Sequence, residues 1–247
     1  MIEMIQAKLN GNWELILPEH RAARPEWTSE LGWERARLDS MYKHIGKTDV
    51  VYYCGVELGE MSALCELWGA KTVLFEPNHS AWPSIRQTYE ANGFKPLKCF
   101  AGFASNHTEL IPPNPDKDLW GGRGWEIQED GWPLSSTGEI IEAHGFSELY
   151  QEADGLPQVK IDDFDCEPPT VITFDCEGSG FEVLKGAEQT IRKYKPKIWA
   201  SWHREFKKQM YGLELDDVRQ WLIDLGYKEV ILADLHEQHC VYFPESK

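Results

Sequence analysis

The residues best placed by type and spacing to do chemistry begin with Gly55-Val-Glu57-Leu-Gly59, which follows the β-branched and aromatic run Val50–Cys54 and precedes a helical pattern. Glycines at a strand-to-helix turn permit left-handed backbone and let N–H groups at the helix start approach a bound group. About twenty residues beyond such a turn, nucleotide-binding βαβ units place an acid at the tip of the second strand, where its carboxylate accepts ribose hydroxyls. Glu76, in Phe75-Glu76-Pro77-Asn78, stands in that place, and a carboxylate there disfavours a 2′-phosphate. Gly55, Glu57, Gly59, Glu76, Pro77 and Asn78 are therefore candidate contacts for a nucleotide cofactor. A second group closes two later apolar runs: Asp175 and Glu177 come after Val171–Phe174, and His203 after Ile198–Trp202. Imidazole and carboxylate groups move protons near neutral pH. The same three could hold a divalent metal, though such sets on two loops are common by accident and the ion is not favoured. The structural alternatives are capping of the next helix by the acids and a satisfied strand-end histidine.

These residues must be positioned by strands and helices that alternate. Val50–Cys54 is a strand closed by Gly55, and Met61, Leu64, Cys65 and Trp68 then mark one helix face, stopped by Gly69. Thr72–Phe75 is a second strand, followed by a helix with Pro83 early in it and Ile85 and Tyr89 on one face. The alternation pauses over about residues 111–158, where Pro112, Pro113 and Pro115 predict a long loop or lid, with a helix near Glu139–Asp154. Trp120, Trp125 and Trp132 there are candidate substrate-stacking platforms, because indole faces match apolar sugar faces, or else anchors of the loop. Ser179-x-x-Glu182 reads as a capping box opening a helix with Phe181, Leu184, Ala187 and Ile191 on its face. Strands over Glu229–Ala233 and Cys240–Phe243 are too closely joined for a crossover helix, so the last strand should be antiparallel. The expectation is an α/β, Rossmann-like fold over residues 47–247, a mostly parallel seven-stranded sheet with an antiparallel C-terminal edge hairpin. Residues 1–46, where Pro18 and Pro25 interrupt any long helix and Glu30–His44 reads as one, are expected as an N-terminal helical extension.

A net charge of −16 argues against nucleic acid and anionic membranes as partners, since both need a dense positive surface. A neutral or cationic small molecule fits better. The cysteines are scattered without a Cys-x-x-Cys pair, no apolar run approaches a membrane span, and the N-terminal residues lack a basic stretch followed by an apolar core. The expected location is the cytoplasm; the composition leaves the oligomeric state open.

The stretch Val159-Lys-Ile-Asp-Asp-Phe164, the block Thr173-Phe-Asp-Cys-Glu-Gly-Ser-Gly-Phe-Glu-Val-Leu-Lys-Gly-Ala187, Trp202-His203 and the terminal hairpin resemble the FkbM family of methyltransferases over about residues 49–243. Glu57 and Glu60 resemble a subgroup associated with bacteriophage genomes, for which the location would be a host cytoplasm. The resemblance implies S-adenosylmethionine as cofactor and O-methylation of a hydroxyl on a sugar, glycan or polyketide-like small molecule. Ser105 falls where adenine contacts commonly sit in such a fold. His203 would be the general base, with Asp175 orienting it or the acceptor, and Glu177 beside them. The family's first strand usually ends in Asp before the glycine turn, whereas this chain has Tyr53, placed among the cofactor contacts; Glu57 would then take part of the work on the cofactor's amino group. That departure motivates a second reading, a catalytically impaired methyltransferase-fold binding module; an NAD-dependent dehydrogenase is a distant third.

Overall fold

The computed structural model describes residues 3–28, 32, 34–78, 81–109, 127–133, 157–203, 214–235 and 237–245. Alternation along β1 (Met4–Leu9) and β2 (Trp13–Pro18) buries Ala7, Leu9, Leu15 and Leu17, and Asn10-Gly11, with φ of 50° and 74°, closes the two into an antiparallel hairpin. Successive left-handed residues match the twist of paired strands, which is why Asn-Gly favours hairpins. The N-terminal helical extension is corrected on this point: a hairpin leads, the single-turn α1 (Glu19–Ala22) follows, and α2 (Arg35–His44) is the helix of length. Nor is this region an appendage. Leu9, Trp13, Leu17, Trp27, Leu38 and Met41 share one buried cluster with the sheet residues Val51, Tyr53 and Leu74.

Strands and helices then alternate as expected: β3 (Val50–Cys54), α3 (Glu60–Leu67), β4 (Lys71–Phe75), α4 (Trp82–Ala91), β5 (Lys98–Phe100), the short β6 (Phe103–Ala104) and β7 (Gln158–Val159), and β8 (Val171–Phe174). They continue as α5 (Gly180–Gly186), α6 (Glu188–Tyr194), β9 (Lys197–Trp202), α7 (Leu215–Asp224), β10 (Tyr227–Asp234) and β11 (Gln238–Pro244). The main sheet has seven strands in the order β10-β11-β9-β8-β3-β4-β5, parallel except that β11 runs antiparallel to both neighbours. Central strands buried on both faces require unbroken apolar runs. Val51, Tyr53, Leu74, Val171 and Trp199 pack under the hairpin and α2–α4, while Tyr52, Phe75, Ile172, Phe174 and Ala200 pack with residues of α5–α7. The Rossmann-like expectation holds, and the antiparallel hairpin sits at the sheet edge with β10 outermost.

Two local readings change. The helix expected to run from Ser179 through Ile191 breaks at Ala187 (φ −110°, ψ 11°), and the Asp162 carboxylate accepts the Gln189 and Thr190 N–H groups at 3.0 and 2.7 Å, capping α6 from a distant turn. Ser179 makes no side-chain cap; its hydroxyl donates back to the Cys176 carbonyl at 2.8 Å. Trp120, Trp125 and the helix expected over Glu139–Asp154 lie outside the described residues.

Candidate active site

Because β3, β4, β8 and β9 run parallel, their carboxyl ends share one edge of the sheet. The antiparallel β11 starts at that edge, with Gln238 opposite Trp202, and so delivers Glu237 beside His203. Ligands of open α/β sheets bind at such an edge.

The turn after β3 is built on close approach. Gly55 has φ +77°, and a Cβ there would stand 1.9 Å from the Asp175 carbonyl oxygen; Gly59 has φ +100° and lies against the Ile85 backbone of α4. The two glycines therefore let the turn after β3 touch the loop after β8 and let α3 pack on α4. Glu76, at the tip of β4, is buried, and its carboxylate accepts the Asn78 N–H at 2.8 Å and the Glu57 N–H at 2.9 Å. Burial pushes that carboxyl up to about 7, against the pull of its backbone hydrogen bonds. Pro77 is buried beside it. Glu57, in left-handed backbone at φ 55°, turns a half-exposed carboxylate to Arg21 at 3.1 Å and Arg24 at 3.6 Å, and Arg21 also binds the buried Glu60.

The second group converges as expected and gains members. His203 Nε2 lies 2.8 Å from Asp175 Oδ1 and 3.6 Å from Glu237 Oε2, while its Nδ1 lies 3.4 Å from Glu177 Oε2. Burial alone would lower the imidazole, but the Asp175 hydrogen bond and the charges of Asp175, Glu177 and Glu237 outweigh it and hold His203 up at about 9. Glu237 accepts the Ser201 hydroxyl at 2.5 Å, lies 3.3 Å from His239, and is held well below the usual carboxylate range by those bonds and by His203, against burial. Glu177 has φ 45°, a left-handed strain that tends to concentrate at functional sites.

Beneath the cluster lies Arg37, a fully buried guanidinium on α2. It contacts Glu34 at 2.5 Å, Thr173 Oγ1 at 3.0 Å, and Asp175 Oδ2 and the Tyr53 hydroxyl at 3.5 Å each. Asp175 thus bridges Arg37 and His203. Neither Arg37 nor Glu237 emerges from the sequence reading. Arg37 carries a signal, a cation one turn before the buried Met41 and so on a core-facing side; Glu237 carries none.

The remaining candidates separate. Tyr53 is corrected as a cofactor contact: strand alternation sends its ring to the α2 face, 1% exposed and against Arg37. Ser105 is buried on the β6–β7 ladder, its N–H donating to Val159 at 2.9 Å, and its carbonyl would stand 1.8 Å from a Cβ on Gly186. The glycine of the Glu-Val-Leu-Lys-Gly-Ala block is thereby explained by packing. Trp132 is corrected as a sugar platform: at 4% exposure it anchors residues 127–133 on α4, edge-on to Tyr89 with the Arg86 guanidinium 6.0 Å from its ring. His203, expected as general base, sits among three carboxylates that raise it to about 9, which favours a donor role for its ring nitrogens. As a metal site, Asp175, Glu177 and His203 bring one ligand atom each within 4.8 Å of one another. Yet Asp175 already gives one oxygen to His203 and faces Arg37 with the other, so the set satisfies its charges internally and fits an ion poorly.

A family model described as the methyltransferase FkbM domain matches residues 44–229. No curated protein matches the chain. Among solved structures, methyltransferase FkbM from Methylobacillus flagellatus KT aligns with a TM-score of 0.54 at 19% identity, over 81% of this chain and 44% of that one. Precorrin-6y C5,15-methyltransferase from Geobacter metallireducens GS-15 aligns at 0.47 and 9% identity, over 86% and 89%. The M. jannaschii tRNA m1G37 methyltransferase aligns at 0.48 and 12%, over 98% and 57%. The chain spans less than half the length of the first of these, and at such identities the likeness is one of fold.

Proposed function

The chain belongs to the methyltransferase FkbM domain family, and from that premise we propose that it is an S-adenosylmethionine-dependent methyltransferase acting on a hydroxyl of a sugar, glycan or related small molecule. The observation that carries this reading is the contact of Gly55 with Asp175, which joins the cofactor turn to the proton-handling cluster at one sheet edge. The residues present fit the cofactor: Glu76 is a carboxylate oriented by two backbone N–H groups for the ribose, and Gly55 lets the turn above it pack against the loop that carries Asp175. Bound there, the cofactor would supply an electrophilic methyl group on a sulfonium.

The chain's own work is to hold the acceptor and receive its proton. His203, protonated and engaged through both ring nitrogens, acts as a hydrogen-bond donor and charge partner that fixes the carboxylates. Glu177, the most exposed of the three acids around it, takes the proton of the acceptor hydroxyl, a role that requires a carboxylate within reach of bound substrate. Asp175, locked between Arg37 and His203, positions the pair. The acidic rim of Glu57, Asp175, Glu177 and Glu237 favours a neutral or cationic acceptor over a phosphorylated one.

The test is methyl transfer from labelled S-adenosylmethionine to a panel of glycans and small hydroxyl compounds, with titration calorimetry of the cofactor alongside. Transfer to a panel member supports the reading. Absence of cofactor binding at millimolar concentration sinks it, and binding without transfer across the panel favours the binding module. Exhaustive chelation should leave turnover unchanged; loss restored by added Mg²⁺ would place an ion on Asp175, Glu177 and His203.

A further inference from the structure

Next to the ribose-binding Glu76 stand two opposite charges that the matched domain does not account for, because one of them comes from outside residues 44–229. Glu57, whose backbone N–H is bonded to Glu76, faces Arg24 of the N-terminal segment across 3.6 Å, with side chains 53% and 27% exposed. We propose that this pair reads the zwitterionic amino-acid end of the cofactor, Arg24 receiving the α-carboxylate and Glu57 the α-ammonium. This rests on the S-adenosylmethionine reading above and extends it to the N-terminal segment.

Three observations carry it. An α-amino acid bears one positive and one negative group on the same carbon, so its complement is an adjacent carboxylate and cation, and that is what Glu57 and Arg24 present together. Placement fits as well: the Glu57 N–H bonds the carboxylate assigned to the ribose, and in an adenosyl amino acid the amino-acid arm extends from that sugar. Finally, Arg21 and Arg24 differ in how they are held. Arg21 is buried and hydrogen-bonded to Glu60 at 2.6 Å and Glu57 at 3.1 Å, which fixes the Glu57 carboxylate in place. Arg24 stands 3.7 Å from Glu26 and 3.6 Å from Glu57, and a carboxylate entering beside it would add a shorter charge-assisted contact. Glu57 keeps a left-handed backbone at φ 55° to present its side chain this way.

The experiment is calorimetric titration of the full chain and of Arg24→Met with S-adenosylhomocysteine and with 5′-methylthioadenosine, which has the same nucleoside but lacks the amino-acid end. Arg24→Met should weaken S-adenosylhomocysteine by about tenfold or more, the order of one charge-assisted contact, and leave methylthioadenosine within about twofold. Arg24→Lys should recover part of the loss, since it restores the charge without the fork. Retained methylthioadenosine binding also shows that the variant is folded. Equal weakening of both compounds, or of neither, would overturn the role of Arg24 while leaving the cofactor assignment standing. Failure of the unaltered chain to bind either compound would overturn both.

Discussion

His203 holds its proton because three carboxylates surround an imidazole that burial alone would keep neutral. Its ordinary value is 6.5 and its value in the fold is about 9, so the native state binds this proton more tightly than the unfolded chain does. The associated stability is present in full below pH 6.5 and is lost as pH rises through 9. Glu76 acts with the same sign in a lower window: burial raises it from 4.5 to about 7, so its contribution is complete below pH 4.5 and lost on rising through 7. Thermal melts of the ligand-free protein should therefore show a falling midpoint from pH 6.5 to 9, and His203→Gln should flatten that fall while sparing the one below it. A midpoint that rises over the upper window would refute the charge assigned to His203. The proposed function also gives the two residues different roles. Glu76→Ala should weaken cofactor binding at least about tenfold, the value of an oriented carboxylate contact, whereas His203→Gln should lower turnover and change affinity little; calorimetry and initial rates separate them, and equal loss of affinity would contradict the division.

At the scale of elements, the site depends on turns that approach one another more closely than side chains allow. Gly55 combines left-handed backbone with a neighbouring carbonyl where its Cβ would be. Gly55→Ala should cost about 2 kcal/mol or more, by strain and by displacement of the loop carrying Asp175, measured as a lowered denaturation midpoint with impaired cofactor binding. An unchanged midpoint would mean that the two loops do not meet as described. The terminal hairpin has a comparable role. Because β11 runs antiparallel between β9 and β10, it starts at the carboxyl edge and so brings Glu237 to His203, which a parallel strand entered from a crossover helix would not do at that position. Glu237→Gln should lower the His203 titration midpoint observed by NMR, because one of the charges sustaining its proton is removed.

For the whole molecule, the matched domain and the N-terminal segment share one core and one site. Leu9, Trp13, Leu17, Trp27, Leu38 and Met41 bury surface on the sheet face that also carries Tyr53, and Arg37 supports Asp175 from below. Deleting residues 1–43 should abolish the cooperative thermal transition, since core truncations of even one large side chain cost about 2–5 kcal/mol each; a soluble, cooperatively melting fragment would show the segment to be dispensable. No described helix is long and apolar enough to cross a membrane. The central strands were legible in the sequence because Val50–Cys54 and Val171–Phe174 are apolar runs bounded by turn signals, and parallel alternation then requires Gly55, Glu76, Asp175 and His203 to share an edge. Asn10-Gly11 is a hairpin signal that the expectation of a helical extension over residues 1–46 left unread. The sequence by itself determined the family, the sheet and which residues stand at its strand ends, because these depend on local periodicity and spacing. Only the tertiary structure decided that three carboxylates surround His203 and raise its hold on a proton and that Tyr53 faces a buried guanidinium, and only it brought Arg21, Arg24 and Arg37 to the site; each follows from charges contributed by segments far apart in the chain, whose protonation is set by burial and by distances that no local pattern encodes.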